Sequence, residues 1–288
     1  MRRLIESVVD NGLNFAWQLA AGAACGLAAA SLLRRRHCAL AAGGALAVLA
    51  ATIGRSARYR LEPDPSGPPL LRVMTLNAYN RGVAIEDRVT AFAREHEVDV
   101  LLLQEWDVPA SATRGAIDGW FPHHAVEAPD GTQIYARRPF RVLRVERLDD
   151  SPHQESIITV GLEAGGVELT LIAAHPLQPV HPRRFAARRR EFDRLAEIAG
   201  GFAGPVVVAG DCNASILSPD FQRLLARAGL RSVSAWPPRG TWPAPLGATG
   251  IAIDHVLVRG LRAASFWVGP SLGSDHRAVV ADLARIEG

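Results

Sequence analysis

The sequence predicts an α/β chain of the α+β kind: two packed β-sheets flanked by helices, preceded by an apolar N-terminal helical hairpin. Three observations carry this. Short apolar runs of strand length recur through residues 70–288 with helical patterns between them. They do not keep the regular strand–helix alternation of a doubly wound parallel sheet. Residues 13–33 and 38–54 carry no charge at all, in a chain in which 21% of residues are charged.

The two uncharged runs come first. A helix needs roughly 20 apolar residues to cross the hydrocarbon of a bilayer, with about 17 as a lower limit. The basic turn Arg34-Arg35-Arg36-His37 separates them, so residues 13–33 and 38–54 read as two transmembrane helices within a membrane anchor at residues 1–60. A cleaved signal peptide is excluded by the length and by the basic interruption. Asn14 and Gln18 weaken the first span. Counting arginines outside the spans (Arg2, Arg3, Arg55, Arg58, Arg60) keeps the termini in the cytoplasm. The compact cluster in the turn argues the reverse, and the residues alone leave orientation open. Residues 61–69, with prolines at 63, 65, 68 and 69, read as an extended spacer. The soluble domain is placed at residues 70–288.

Within that domain residues 70–76 are a β-rich run ending at Asn77. Ile85, Val89, Phe92 and Ala93 follow at helical spacing. Residues 98–103, apolar apart from Asp99, read as a strand buried on both faces and end at Gln104-Glu105. Residues 134–136, 156–162 and 167–173 read as strands, the last two joined by Gly165-Gly166. Residues 182–199 read as a helix with a stripe of Phe185, Phe192, Leu195 and Ile198. A short buried strand follows at 206–209. Ser218 supplies an N-cap with Pro219 behind it, and Gly229 a helix stop. Residues 251–258, 263–268 and 278–283 close the domain as strands.

Composition excludes several classes. The net charge of +3 implies no polyanionic partner, and the three cysteines Cys25, Cys38 and Cys212 form no disulfide framework. Every basic residue other than histidine is arginine, which with the abundant Ala and Gly reads as a GC-rich coding bias rather than as phosphate binding. No glycine-rich phosphate loop of the dinucleotide or nucleotide type is present.

The chemistry lies where the apolar runs stop. Asn77, Glu105, His175, Asp211, Asn213, Asp254, Asp275 and His276 each end or flank one. Sheet ends converge in space, and acidic groups beside such runs need a partner or a metal. Glu and Asp oxygens are hard ligands suited to Mg²⁺, with Mn²⁺ as a substitute. Phosphate ester hydrolysis needs that cation, a group to orient a water in line, and donors for the developing charge. Asp211 and Asn213 point to one side at i, i+2. Singly each is a turn residue; His255, His123, His124, His153 and His181 are read as structural or solvent-facing.

The ordered set resembles the exonuclease–endonuclease–phosphatase superfamily, the deoxyribonuclease I-like fold. Its stretches are Arg72-Val-Met-Thr-Leu-Asn77, Leu102-Leu-Gln-Glu105, Ala174-His175, Val208-Ala-Gly-Asp211-Cys-Asn213, Ile253-Asp254-His255 and Ser274-Asp275-His276. The resemblance implies a four-layered α/β sandwich. It implies Glu105 as the main metal ligand, with Asn77 near metal and phosphate and Asp275 joining the metal site or fixing His276. Asp211 would orient or deprotonate the water, Asn213 and His276 would hold the phosphate, with Asp254 supporting His276, and His175 would be a further phosphate ligand or a proton donor. Cys212 and His255 depart from the usual residues without removing a catalytic group. Gly240-Thr-Trp-Pro243 is similar to a bacterial membrane-anchored branch. That implies an inner-membrane protein with the catalytic domain exported.

These expectations describe a membrane-anchored, divalent-metal-dependent phosphoesterase. The competing readings are an inactive phosphate-ligand-binding protein and a scaffold in which the hairpin does the work; on the first reading activity survives removal of residues 1–60. Nucleic acid, phospholipid and small phosphate ester all remain open as substrates. The run Arg183, Arg184, Arg188, Arg189, Arg190 and Arg194 is offset by Glu191 and Asp193 and reads as a solvated helix face rather than a nucleic-acid track. Oligomeric state is not encoded legibly.

Overall fold

A computed structural model describes residues 2–107, 115–126, 131–147 and 156–286, and His153 lies outside them. The chain opens with three helices, α1 (Arg2–Asn14), α2 (Ala16–Leu32) and α3 (Arg36–Ser56). The uncharged run at 13–33 is therefore not one helix. It breaks at Phe15, and α1 and α2 meet at 79°. The Asn14 side-chain oxygen leaves the helix line to accept from the backbone N–H of Ser215 at 2.8 Å, which ties the break to the soluble domain. The segment Arg36–Tyr59 is the one unbent helix among the described residues long and apolar enough to cross a membrane.

Two mixed sheets follow. The first has the order β1 (Arg60–Leu61), β10 (Arg231–Val233), β11 (Asp254–Arg259), β9 (Val206–Asp211), β8 (Val167–Ala173), β7 (Ser156–Ala164) and β6 (Phe140–Arg147). The second has the order β12 (Arg262–Val268), β13 (Val279–Ala284), β2 (Leu71–Asn77), β3 (Val100–Gln104), β5 (Gln133–Ala136) and β4 (His123–Val126). Side-chain alternation explains why the central strands are apolar throughout. In β9, Val207 and Ala209 enter the core between the sheets while Val206 and Val208 pack under helices α6 (Pro182–Gly200) and α7 (Pro219–Ala228). In β3, Val100 and Leu102 face the other sheet, and Leu101 and Leu103 meet α4 (Gly82–Glu95) and α5 (Ala116–Trp120). Helices thus cover both outer faces.

The α7 boundaries follow the expected signals. The Ser218 hydroxyl accepts from the N–H of Phe221, and Gly229 closes the helix in the left-handed region. Strand β6, which the pattern does not reveal, has a physical cause for that. Six of the eight residues of β6, Val142, Leu143 and Val145 among them, are exposed or nearly so at the sheet edge, so no buried face imposes alternation on them. The residues at 62–69 are held rather than free. They cross from β1 in one sheet to β2 in the other, with the Asp64 N–H donating to the Ala263 carbonyl at 2.8 Å and Arg262 donating to the Asp64 carbonyl at 2.7 Å.

Candidate active site

Strand polarity gathers the polar termini at one end of the sandwich. β2 and β3 run parallel, as do β8 and β9, so Asn77, Glu105, His175 and Asp211 leave the sheets on the same side. β11 and β13 are antiparallel to these and begin where they end, which adds Asp254 directly across from Asp211, and His276 just before β13. All eight sequence-predicted residues meet there. Glu105, His175, Asp211, Asn213, Asp275 and His276 line a cleft of about 600 Å³, while Asn77 and Asp254 are buried behind it.

Gly210 makes the approach of β8 and β9 tight enough. At φ +152° a Cβ there would stand 1.9 Å from the Ala174 carbonyl oxygen, so only glycine lets the chain before His175 close on Asp211. Glu105 (φ +49°) and Asn213 (φ +48°) both occupy the left-handed region, unusual for residues with side chains. Such strain persists where surrounding contacts over-determine it. At Asn213 those contacts are its own N–H donating to Asp211 Oδ1 at 2.8 Å and its side-chain amide donating to the Pro176 carbonyl at 3.0 Å.

The hydrogen bonds order the carboxylates. Asn77 Nδ2 donates to Glu105 Oε1 at 3.0 Å and to Asp211 Oδ2 at 3.1 Å, holding two anions against each other. His175 Nε2 lies 3.5 Å from Asp211 Oδ2 and 3.7 Å from Glu105 Oε1. His276 Nδ1 is 3.0 Å from Asp254 Oδ2, and its Nε2 is 3.8 Å from Asp211 Oδ2. Burial alone would depress the His276 imidazolium, but the Asp254 and Asp211 carboxylates outweigh it and raise its pKa to about 9. Burial would likewise raise Asp211, yet the charges of His276 and His175 hold it below the usual carboxylate range. The site thus presents a cation, His276, beside an anion, Asp211, at neutral pH. His255 differs: burial lowers its pKa, and its ring nitrogens meet the Ala214 carbonyl at 2.9 Å and the Ser232 hydroxyl at 3.0 Å, a structural role as expected.

The residues fit a hard divalent cation. Trp242 Nε1 donates to Asp275 Oδ2 at 2.9 Å, and the other oxygen, Oδ1, is buried without a hydrogen-bond partner among the described residues. Asp275 and the partly exposed Glu105 carboxylate both line the cleft. Asp211, Asp254 and His276 also place ligand-type atoms within 4.8 Å of one another. There, however, the imidazole stands between the carboxylates, which makes a charge relay rather than a metal cage.

Sequence reasoning missed one wall of the site. Asn11, Asn14 and Phe15, from the corner of α1 and α2, line the same cleft. Arg188 is fully buried: it donates to the Asn213 carbonyl and to the Asp10 carboxylate, which also accepts from the Ser218 hydroxyl at 2.5 Å. The arginine run on α6 is therefore neither solvated throughout nor a free nucleic-acid track. Arg188 is spent on α1, and Arg194 on Glu146 and Glu197. The polar residues Asp10 and Asn14, so close to an uncharged run, were the available signal.

Layered sheets with helices outside, and a polar cleft of carboxylates, histidines and amides at the strand ends, define a metal-dependent phosphoester hydrolase. The chain belongs to the Endonuclease/Exonuclease/phosphatase family, whose model matches residues 74–276. Solved structures agree in fold. A humanized Danio rerio TDP2 superposes with a TM-score of 0.60 at 16% identity, covering 74% of this chain and 98% of that one. D. rerio TDP2 complexed with a single-strand DNA product gives 0.58 at 16%, covering 74% and 98%. The beta toxin of Staphylococcus aureus gives 0.57 at 12%, covering 73% and 99%. No curated protein matches the sequence.

Proposed function

We propose that this chain is a membrane-anchored phosphoesterase that cleaves a phosphodiester or phosphomonoester by in-line attack of a water oriented by Asp211. The observation that carries the reading is the Asp211 carboxylate, buried and ionised, flanked by His175, Asn77 and the cationic His276 within a cleft of catalytic size.

Glu105 and Asp275 would hold the divalent ion, Mg²⁺ by the hardness of their oxygens, with Asn77 fixing the Glu105 carboxylate. When bound, the ion would neutralise the phosphate and the charge that develops on it. Asn213 and His276 donate to non-bridging oxygens. The water oxygen bonds to phosphorus, the opposite P–O ester bond breaks, the water proton passes to Asp211, and the leaving oxygen takes a proton from His175. With its pKa held low, Asp211 stays ionised at neutral pH and can accept a hydrogen bond from the water while remaining a weak base. That suits a loose transition state, in which the nucleophile gives up its proton late.

Anchoring is supported by the almost wholly exposed apolar segment Arg36–Tyr59 and by its packing on α2. The similarity of Gly240-Thr-Trp-Pro243 to an exported, membrane-anchored branch supports a catalytic domain outside the cytoplasm. A reporter enzyme fused at Gly288 that matures only after export is expected to be active, and a silent fusion would reverse the orientation.

The purified full chain is expected to hydrolyse bis(p-nitrophenyl) phosphate with Mg²⁺ or Mn²⁺, to stop on chelation, and to lose more than about 100-fold of its rate in Glu105→Ala. Turnover that survives both treatments would refute the metal-dependent reading.

A further inference from the structure

Helix α1 is amphipathic the wrong way round for a soluble helix. With successive residues about 100° apart, Ser7, Asp10 and Asn14 share one face, and Ile5, Val8 and Val9 share the opposite one. It is the polar face that is buried, at 4%, 3% and 9% exposure, against the catalytic domain. The apolar residues stand out at 55%, 62% and 52%. The buried face is satisfied by Arg188, Ser218 and the Ser215 N–H. Nothing among the described residues covers the other.

The occupant of that face is indicated by what adjoins it. At Phe15 the chain turns through 79° into the apolar hairpin, so α1 lies across the hairpin axis as an interfacial helix lies to a span. The exposed stripe continues through Phe15 to Leu19 on α2. The same corner is a wall of the catalytic cleft. Asn11 Nδ2 donates to the Pro179 carbonyl at 3.0 Å, joining α1 to a segment whose exposed Val180 lines the cleft together with Phe15. Arg184, also at the cleft, brings a cation to the side from which an anionic headgroup would enter.

We propose that α1 lies in the membrane interface with Ile5, Val8, Val9 and Phe15 at the acyl boundary, and that the adjoining cleft takes the phosphate ester of a phospholipid directly from the bilayer. This rests on the phosphoesterase reading above and names its substrate class. Water adds its oxygen to phosphorus, one P–O ester bond breaks, and the departing oxygen is protonated. The products are diacylglycerol and a phosphorylated headgroup, or phosphatidate and a free alcohol.

The test uses the full chain reconstituted with Mg²⁺ in vesicles of phosphatidylethanolamine and phosphatidylglycerol, with bis(p-nitrophenyl) phosphate as the soluble comparator. The Val8→Asp, Val9→Asp double variant is expected to release lipid products at least about tenfold more slowly while soluble-ester hydrolysis stays within about twofold. A bimane label on Val9→Cys, with Cys25→Ser and Cys38→Ser, is expected to be quenched by nitroxide-bearing lipids. An unquenched label, equal lipid turnover in the double variant, or wild-type protein that cleaves the soluble ester or DNA but no lipid would overturn the proposal. Wild-type protein inactive on every ester, with the label quenched, would instead overturn the phosphoesterase reading.

Discussion

Asp211→Asn is expected to lower kcat by about 10²–10⁴-fold with little change in KM, the range that a positioned acid–base group contributes. The substitution is nearly isosteric, so the loss falls on charge rather than on packing. The carboxylate now accepts from Asn77 Nδ2 at 3.1 Å and from the Asn213 N–H at 2.8 Å, and with Asp254 and Asp275 it is one of three anions that keep His276 protonated. Asparagine can still offer an oxygen to one of these donors, but it cannot take a proton from water and no longer supports the imidazolium. The fold should therefore survive while the water loses its acceptor and the phosphate loses part of its cation. Steady-state kinetics on a soluble phosphodiester, with a thermal melt as the control for folding, decide it. A kcat within threefold of wild type would remove Asp211 from its assigned role.

Arg188→Ala is expected to cost about 3–5 kcal/mol of stability, the usual penalty for removing one partner of a buried ion pair. The guanidinium is fully buried and divides its donors between the Asp10 carboxylate of α1 and the Asn213 carbonyl, so its loss strands an anion and releases the loop that carries Asn213. Activity should fall with stability. Pairing Arg188→Met with Asp10→Asn removes both charges and should restore most of the stability, yet not the tether on Asn213, so kcat stays low. Denaturant unfolding and kinetics of the three proteins separate these effects. A loss below about 1 kcal/mol in Arg188→Ala would show the pair to be marginal. The same contacts revise an expectation drawn from sequence. Removing residues 1–60 takes away Asp10, Asn14 and the Arg60 half of β1 together, so the truncated domain is not expected to retain full activity.

Much of the site was readable because its residues mark places where the chain changes character. Glu105 follows five buried apolar residues running from Val98 to Leu103, and Asp211 and Asn213 follow a run of valines; a polar group at such a boundary needs a reason, and six boundaries in a fixed order supply one. The roles of Asn77 and Asp254 were legible as types but not as positions. Only the register of β2 on β3 and of β9 on β11 places them behind the cleft, where they orient Glu105, Asp211 and His276 rather than line its wall.

The sequence by itself determined the reaction class, the order of the strands' polar termini, the caps of α7, and the uncharged run that becomes α3. Each rests on local chemistry or on a periodicity of a few residues, which a linear reading preserves. Tertiary structure alone decided the break at Phe15, the burial of Arg188, the strap at 62–69 and the share of α1 in the cleft. These depend on contacts such as Asp10 with Arg188 and Asn14 with Ser215, whose partners are far apart in the chain. A polar face on a short helix reads as solvent-facing until the surface it docks against is in view. Here that surface is the soluble domain, and it makes the corner of α1 and α2 one wall of the cleft.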